Sequence, residues 1–424
     1  MAQILVRDAL VVAGGAERPF RGWVRIEGNR IAAIGRGAVR NQEGERVVEA
    51  RGGALIPGLI NTHAHSHSSL TRGSAEGMAL EAWIEAIVRE QQRLTPEQAY
   101  VAALATYAEA LLSGTTAILD MCLDPESAAR AAEEIGIRAA IAPYVADSMP
   151  FAPTLERTAA LLETPERERV RFWVGLHDLE TSSDAQVRDG VALALKHGVG
   201  VHLHCSESRY SVERTRRRTG RSPVEQLEQL GVFSARTHLA HCVHVSAADR
   251  QLLAARGASV AHCPHANLKL GSGVAPVPAL RADGVRVSLA TDGAKANNRL
   301  DMFDVMKFTS LLHKGVAENP AVLPPIEVLA MATEVGATVL GIEAGRIVPG
   351  QLADLTLLSV ERFHLQPAEP ETIVTNLVHA AHGGDVDTVI VDGRVVVESG
   401  RLTLLDEDAL LRRHAATGRA LLLT

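Results

Sequence analysis

The sequence predicts an α/β protein: a (β/α)8 (TIM) barrel with a small β-sandwich assembled from both ends of the chain. Three observations carry this. Between residues 54 and 291, apolar strand-like runs alternate with helical patterns, the form taken by parallel strands that each return through a helix. Most of these runs end in histidine or aspartate, where such barrels place their reactive groups. The short strands at each terminus are too few to be stable alone, so they are expected to pair with one another.

The N-terminal strands read as 4–12, 23–27, 30–34 and 46–49, with Glu27-Gly28-Asn29 as turn chemistry. Their partners lie at the far end: a strand at 353–358 and a hairpin over 389–397 built on Asp392-Gly393. Barrel strands are expected at 54–63, 115–120, 139–144, 171–177, 200–204, 237–241, 259–262 and 286–291. Helical patterns at 96–112, 126–135, 184–196, 222–230 and 247–256 follow Thr, Ser or Asp start signals, some with proline in the first turn. A helix ending near Leu340-Gly341 closes the barrel. The expected division is 1–56 for the first part of the sandwich, 57–348 for the catalytic barrel, and 349–424 for the rest of the sandwich with a C-terminal helix.

Composition bounds the function. A chain of 424 residues, 46% hydrophobic and 22% charged, has the makeup of a soluble protein with a large core. A net charge of −7 argues against nucleic acid or an anionic membrane as partner. The basic cluster 214–221 is expected to be a solvated helix end. No apolar run approaches a membrane span, and no secretory leader pattern opens the chain, so the cytoplasm is the expected compartment. The expected partner is a small-molecule substrate, and a barrel of this size is expected to self-associate. Of the four cysteines, three directly follow a histidine (His204-Cys205, His241-Cys242 and His262-Cys263). Consecutive strand residues face opposite sides, so where these histidines face a site the cysteines are expected to face away, as small buried hydrophobes.

The chemistry gathers at strand ends. Strand 1 runs into His63-Ala64-His65, and residues two apart in a strand face the same side. With 17 histidines in the chain, chance alone gives roughly one such pair, so the motif needs support elsewhere. It has it: strand 4 ends in His177, strand 5 in His202-Leu203-His204-Cys205-Ser206-Glu207, strand 6 in His241, strand 7 in His262 and strand 8 in Thr291-Asp292-Gly293. His63, His65, His204 and Asp292 offer three imidazoles and a carboxylate to one divalent ion with a position left for water, whose pKa the ion lowers towards neutrality. Glu207 suits a proton shuttle to a ring nitrogen, and His241 the stabilisation of a developing oxyanion. Asp292 can take the water's remaining proton and hand it to the departing group. These are the parts of a hydrolytic deaminase. Strand 4 contains no lysine, the residue that bridges two metals in related architectures, so a single metal is expected.

Together these motifs resemble the amidohydrolase superfamily, in its branch of triazine hydrolases and S-adenosylhomocysteine/methylthioadenosine deaminases. The resemblance runs from residues 57–65 through Ala240-His241-Cys242-Val243-His244, 267–273 and Thr291-Asp292-Gly293 to Asn297-Asn298. It implies zinc, or iron(II), on the residues matching His63, His65, His204 and Asp292, with Glu207 and His241 catalytic and His177 near substrate. His202 competes with His204, but the family places its glutamate three residues after the metal histidine, which selects His204 and leaves His202 in support. Gln91, with Glu90 beside it, occupies the region where adenosine-type members carry a ribose-binding glutamate. Asp178 and Glu180 are candidates to read N–H edges, Arg72 and Lys269 either to hold an anionic group or to anchor their loops, and Asn267 completes the substrate-binding candidates. His265 stands where a small residue is usual.

The expected activity is release of ammonia from an amino-substituted purine, pterin, pyrimidine or triazine. A nucleoside is allowed but disfavoured, because Gln91, the strand-4 sequence 176–180 and His265 depart from the family where a sugar or ring substituent would sit. The alternatives are displacement of chloride or alkylamine from a triazine-like ring, or hydrolysis of a cyclic amide. A non-catalytic scaffold is disfavoured because every ligand and both proton carriers are present.

Overall fold

The computed structural model describes residues 3–15, 17–78, 80–165 and 167–423. The two chain ends meet in one mixed sheet. Gln3–Val11 pairs antiparallel with Phe20–Glu27, which pairs with Arg30–Arg36. On its other side it pairs in parallel with Arg46–Glu49 and Ala54–Pro57. Ala54–Pro57 then carries Leu355–Leu358, followed by Val386–Val391, Arg394–Glu398 and Arg401–Leu402. Asp392 and Gly393 both have positive φ, the conformation a two-residue hairpin turn demands. Val6, Val24, Ile31, Leu355 and Ile390, from both chain ends, share a separate apolar core beneath this small β-sandwich.

One expected strand is two. Residues 54–63 divide into Ala54–Pro57, which belongs to the sandwich, and Leu59–Ala64, the first barrel strand. Gly58 marks the crossing, because a Cβ there would overlap the Thr116 side chain. The apolar run is continuous because both halves are fully buried, so hydrophobicity alone does not show the change of partner.

The barrel strands are Leu59–Ala64, Thr115–Cys122, Arg138–Pro143, Val170–Phe172 with Val174–Gly175, Val201–Cys205, Thr237–His241, Ser259–His262 and Arg286–Leu289, all parallel to their neighbours. Strand 4, expected as one run, breaks at Trp173: its first part pairs with strand 3 and its second with strand 5. Strand 8 meets strand 1 through Thr62 Oγ1 donating to Leu289 O at 3.1 Å and Asp292 N donating to His63 O at 3.0 Å. That closure brings Asp292 beside the His63-Ala64-His65 segment.

Barrel and sandwich are joined by a buried ion cluster. Arg138 donates to Asp354 at 2.8 and 3.2 Å and to Asp392 at 3.1 Å. The C-terminal helix Glu407–Leu423 packs on the barrel, against helix Pro96–Leu112 and the short helix Ser66–Thr71. The basic cluster lies mostly in the helix Arg209–Thr219, with Arg216, Arg217 and Arg218 in its last turn, where cations complement the helix dipole. Among the described residues no helix is long and apolar enough to cross a membrane.

Candidate active site

Three imidazoles converge at the carboxyl end of the barrel, and their hydrogen bonds fix which nitrogen each presents. His65 Nδ1 donates to Met121 O at 2.8 Å, and His204 Nδ1 to His177 O at 2.7 Å. His202 Nδ1 donates to His238 O at 2.9 Å, so His202 Nε2 is an acceptor, and His63 Nδ1 donates to it at 2.8 Å. A neutral imidazole has one N–H, so His63, His65 and His204 each hold out an Nε2 lone pair. The same network separates the two strand-5 histidines: His202 spends its Nε2 on His63, while His204 keeps its own for the site.

These atoms have the spacing of a metal shell. His65 Nε2 and His204 Nε2 are 3.2 Å apart, a separation at which two lone pairs repel unless a cation lies between them. Asp292 Oδ1 lies 3.9 Å from His63 Nε2 and 3.7 Å from His65 Nε2. Ligand atoms around a tetrahedral zinc lie about 3.4 Å from one another, given bonds of about 2.0–2.1 Å. His63 Nε2 is buried with no protein partner, as an atom reserved for an ion would be. Burial pushes the His63 and His204 imidazoles well below the ordinary histidine range, and neighbouring rings push them further; both are neutral, the form that ligates. The residues present therefore fit one divalent ion.

Beside this shell stand the proton carriers. His241 Nε2 is 3.6 Å from Glu207 Oε2 and 4.0 Å from Asp292 Oδ2. His241 Nδ1 donates to Asn267 Oδ1 at 2.8 Å, which fixes the ring. Ser206, His241, Cys242 and Asp292 all adopt positive φ, which costs a non-glycine residue about 1–3 kcal/mol each and turns these side chains at the strand ends. His177 Nδ1 donates to Thr181 Oγ1 at 2.8 Å, and its ring stacks on Tyr144 at 4.2 Å between centroids.

Strand 7 reverses the expected order of histidine and cysteine. His262 points away from the site, its Nε2 3.2 Å from His313 Nε2 in helix Met302–Val316. Cys263 faces inward, its sulfur within 4.8 Å of ligand atoms on His241 and Asp292. Burial pushes its thiol well above the usual range, and the sulfur donates to Ala261 O at 3.7 Å.

A cavity opens from this centre and includes His65, His177, His204, Glu207, His241 and Asp292 in its lining. Its roof is the helix Leu80–Gln91, whose Leu80, Trp83, Ile84, Ile87, Glu90 and Gln91 fall on one face and all line the cavity. Gln91 Nε2 donates to His67 Nε2 at 3.2 Å, and Glu90 pairs with Lys295 at 2.7 Å. The roof helix, His67, Tyr144 and Lys295 are cavity residues that no strand-end motif marks. The apolar spacing at 80, 83, 84 and 87 was the available signal for the helix.

Other expected contacts fall elsewhere. Arg72 is tied to Glu109 and donates to Asn298 O at 2.6 Å, anchoring its loop outside the cavity lining. Lys269 donates to Lys295 O at 3.0 Å and pairs with Glu76 at 3.2 Å. Glu180 lines an adjoining groove instead and pairs with Arg214 at 3.4 Å. Asn267 lies behind His241 and outside the lining. Asp178 lines the cavity, but its Oδ1 accepts from Glu180 N and Thr181 N at 2.8 and 2.7 Å and so caps its own turn. His265 stacks on Phe308, 4.5 Å between centroids.

A barrel with this gathering of imidazoles and carboxylates at its strand ends defines an amidohydrolase-type centre, and the chain belongs to the amidohydrolase family, whose model matches residues 54–396. It is 39% identical over 428 aligned positions to a 5'-deoxyadenosine deaminase of Methanothermobacter thermautotrophicus, covering 99% of this chain and 98% of that one. It is 37% identical to a 5-methylthioadenosine/S-adenosylhomocysteine deaminase of Pelotomaculum thermopropionicum, covering 97% of each. Among solved structures, an adenosine deaminase from Xanthomonas campestris with bound zinc superposes with a TM-score of 0.94 at 27% identity, covering 100% of this chain and 99% of that one. An atrazine chlorohydrolase of Arthrobacter aurescens, at 24% identity and a TM-score of 0.90 over 98% of this chain and all of that one, shares the fold.

Proposed function

We propose that this chain is a metal-dependent hydrolytic deaminase of adenosine-type nucleosides modified at the 5' position, with zinc as the resident ion and iron(II) as the alternative. The observation that carries this reading is the convergence of three Nε2 lone pairs and Asp292 beside the Glu207–His241 pair, at one end of a cavity with an apolar roof and a few polar groups in its lining. The whole-length likeness to deaminases at 39% and 37% identity supports ammonia, rather than chloride or alkylamine, as the leaving group.

His63, His65, His204 and Asp292 would hold the ion. When bound, it supplies Lewis acidity and lowers the pKa of water towards neutrality. Glu207 delivers a proton to the ring nitrogen beside the amino-bearing carbon, which makes that carbon electrophilic. His241, held by Asn267, stabilises the charge that develops on the attacking oxygen. Asp292 accepts the remaining proton of the water and passes it to the amino group. Water and the aminated ring thus yield the ring carbonyl and ammonia. The apolar face of the roof helix limits access of bulk water, while Glu90, Gln91 and Lys295 offer hydrogen bonds to sugar hydroxyls.

Ammonia release should be measured for purified, metal-analysed protein with 5'-deoxyadenosine, 5'-methylthioadenosine, S-adenosylhomocysteine and adenosine. Aminated pterins, pyrimidines and triazines form a second panel, and chloride release from chlorotriazines a third. The nucleosides are expected to give the highest kcat/KM. Turnover confined to triazines or pterins, or chloride release in place of ammonia, overturns the reading.

A further inference from the structure

The last helix of the chain reaches the cavity. Glu407–Leu423 lies against Ser66–Thr71, the segment that directly follows His65. Three contacts fix it there. His414 Nε2 donates to Ser69 Oγ at 3.2 Å. Gly418 approaches so closely that a Cβ would sit 2.7 Å from Leu70 O. Arg93 Nη2 donates to Leu421 O at 2.8 Å. As a result Leu421 is 5% exposed and lines the cavity, while the adjacent Leu422 is 53% exposed. Leu94, next to Arg93, and Ile87 of the roof helix line the same cavity. A leucine on the last turn of a chain contributes little to folding unless it is packed. Leu421 packs on the main apolar core and also lines the cavity, held by a hydrogen bond from the loop that carries Leu94.

We propose that Leu421 is a specificity-determining residue. With Leu94 and Ile87 it forms an apolar subsite for an alkyl or thioether substituent on the part of the substrate remote from the departing amino group. The inference rests on the deaminase reading of the same site. In an apolar subsite one methylene group is worth about 10- to 200-fold in discrimination, so trimming the wall should act on the substituent and leave the chemistry alone.

The test compares 5'-methylthioadenosine with adenosine, whose 5'-hydroxyl gains nothing from an apolar wall, in wild type, Leu421→Ala, Leu421→Phe and the exposed control Leu422→Ala. In Leu421→Ala, KM for 5'-methylthioadenosine is expected to rise about 10-fold, with kcat and the adenosine parameters within about 2-fold of wild type. Leu421→Phe, which keeps the side chain apolar and narrows the space, should lower the same preference without loss of folding, and Leu422→Ala should match wild type. Equal effects on both nucleosides, or none on either, overturn the Leu421 assignment alone. Absence of turnover of both nucleosides by the wild type overturns the deaminase reading on which the assignment rests.

Discussion

His202 is fully buried and does not line the active-site cavity, yet its hydrogen bond sets the tautomer of His63, a proposed metal ligand. Its Nε2 accepts from His63 Nδ1 at 2.8 Å, and that bond keeps the His63 Nε2 lone pair aimed at the site. Replacing His202 with phenylalanine preserves most of the ring volume and removes both nitrogens. His63 is 0% exposed, so its Nδ1–H would lose its partner where water cannot replace it, a cost of about 1–3 kcal/mol. The ring can recover part of this by moving its proton to Nε2, which is the atom the ion needs. Loss of such a supporting partner typically weakens metal affinity about 10- to 100-fold, or about 1.4–2.8 kcal/mol, and that is the effect expected for His202→Phe. His202→Gln offers an acceptor to His63 and a donor to His238 O, and should recover part of the loss. Affinity is measured by competition with a chromophoric chelator, and melting temperature checks that each variant folds. A folded His202→Phe protein with wild-type affinity would refute the tautomer argument.

Further predictions follow from the same contacts. Glu207→Gln should retain the ion, because Glu207 is outside the ligand set, and lower kcat about 100- to 10,000-fold; metal analysis and ammonia release together check this. Arg138→Ala leaves Asp354 and Asp392 buried without their main partner and should cost about 3–5 kcal/mol in denaturant unfolding. Burial holds His238 down at about 3 and His313 at about 4, both below the unfolded value near 6.5. Between those limits the unfolded chain binds protons that the folded chain refuses, so stability is complete above about pH 6.5 and falls as pH drops. Each group removes about 1.4 kcal/mol per pH unit. Melting temperature should therefore fall from pH 7 to pH 5, less steeply in His238→Asn, and a flat profile would contradict the assignment.

Much of this was legible because parallel barrel strands are buried on both faces and read as apolar runs, and their last residues carry the reactive types. His63, His65, His204, Glu207, His241 and Asp292 follow from that rule; five of them line one cavity, and His63 lies buried just behind it, its Nε2 3.9 Å from Asp292 Oδ1. What stayed hidden depends on contacts between distant segments. The apolar run over residues 54–63 carries no mark of its change of partner beyond Pro57-Gly58. At strand 7 the alternation reverses, so His262 and Cys263 exchange sides although their neighbours in sequence look like those of strand 6. Arg72 reads equally as an anion binder or a loop anchor until Glu109 and Asn298 are seen to hold it. Lys295 and Leu421 enter the cavity through ties to Glu90 and Arg93, pairings that no local pattern announces.

The most direct test is to count metal ions per chain and measure ammonia release from 5'-deoxyadenosine on the same preparation, before and after chelation and reloading. One tightly held divalent ion per chain is predicted, with ammonia and the deaminated nucleoside formed in equal amounts, lost on chelation and restored on reloading. Two ions per chain, or turnover that survives complete removal of metal, would contradict the account.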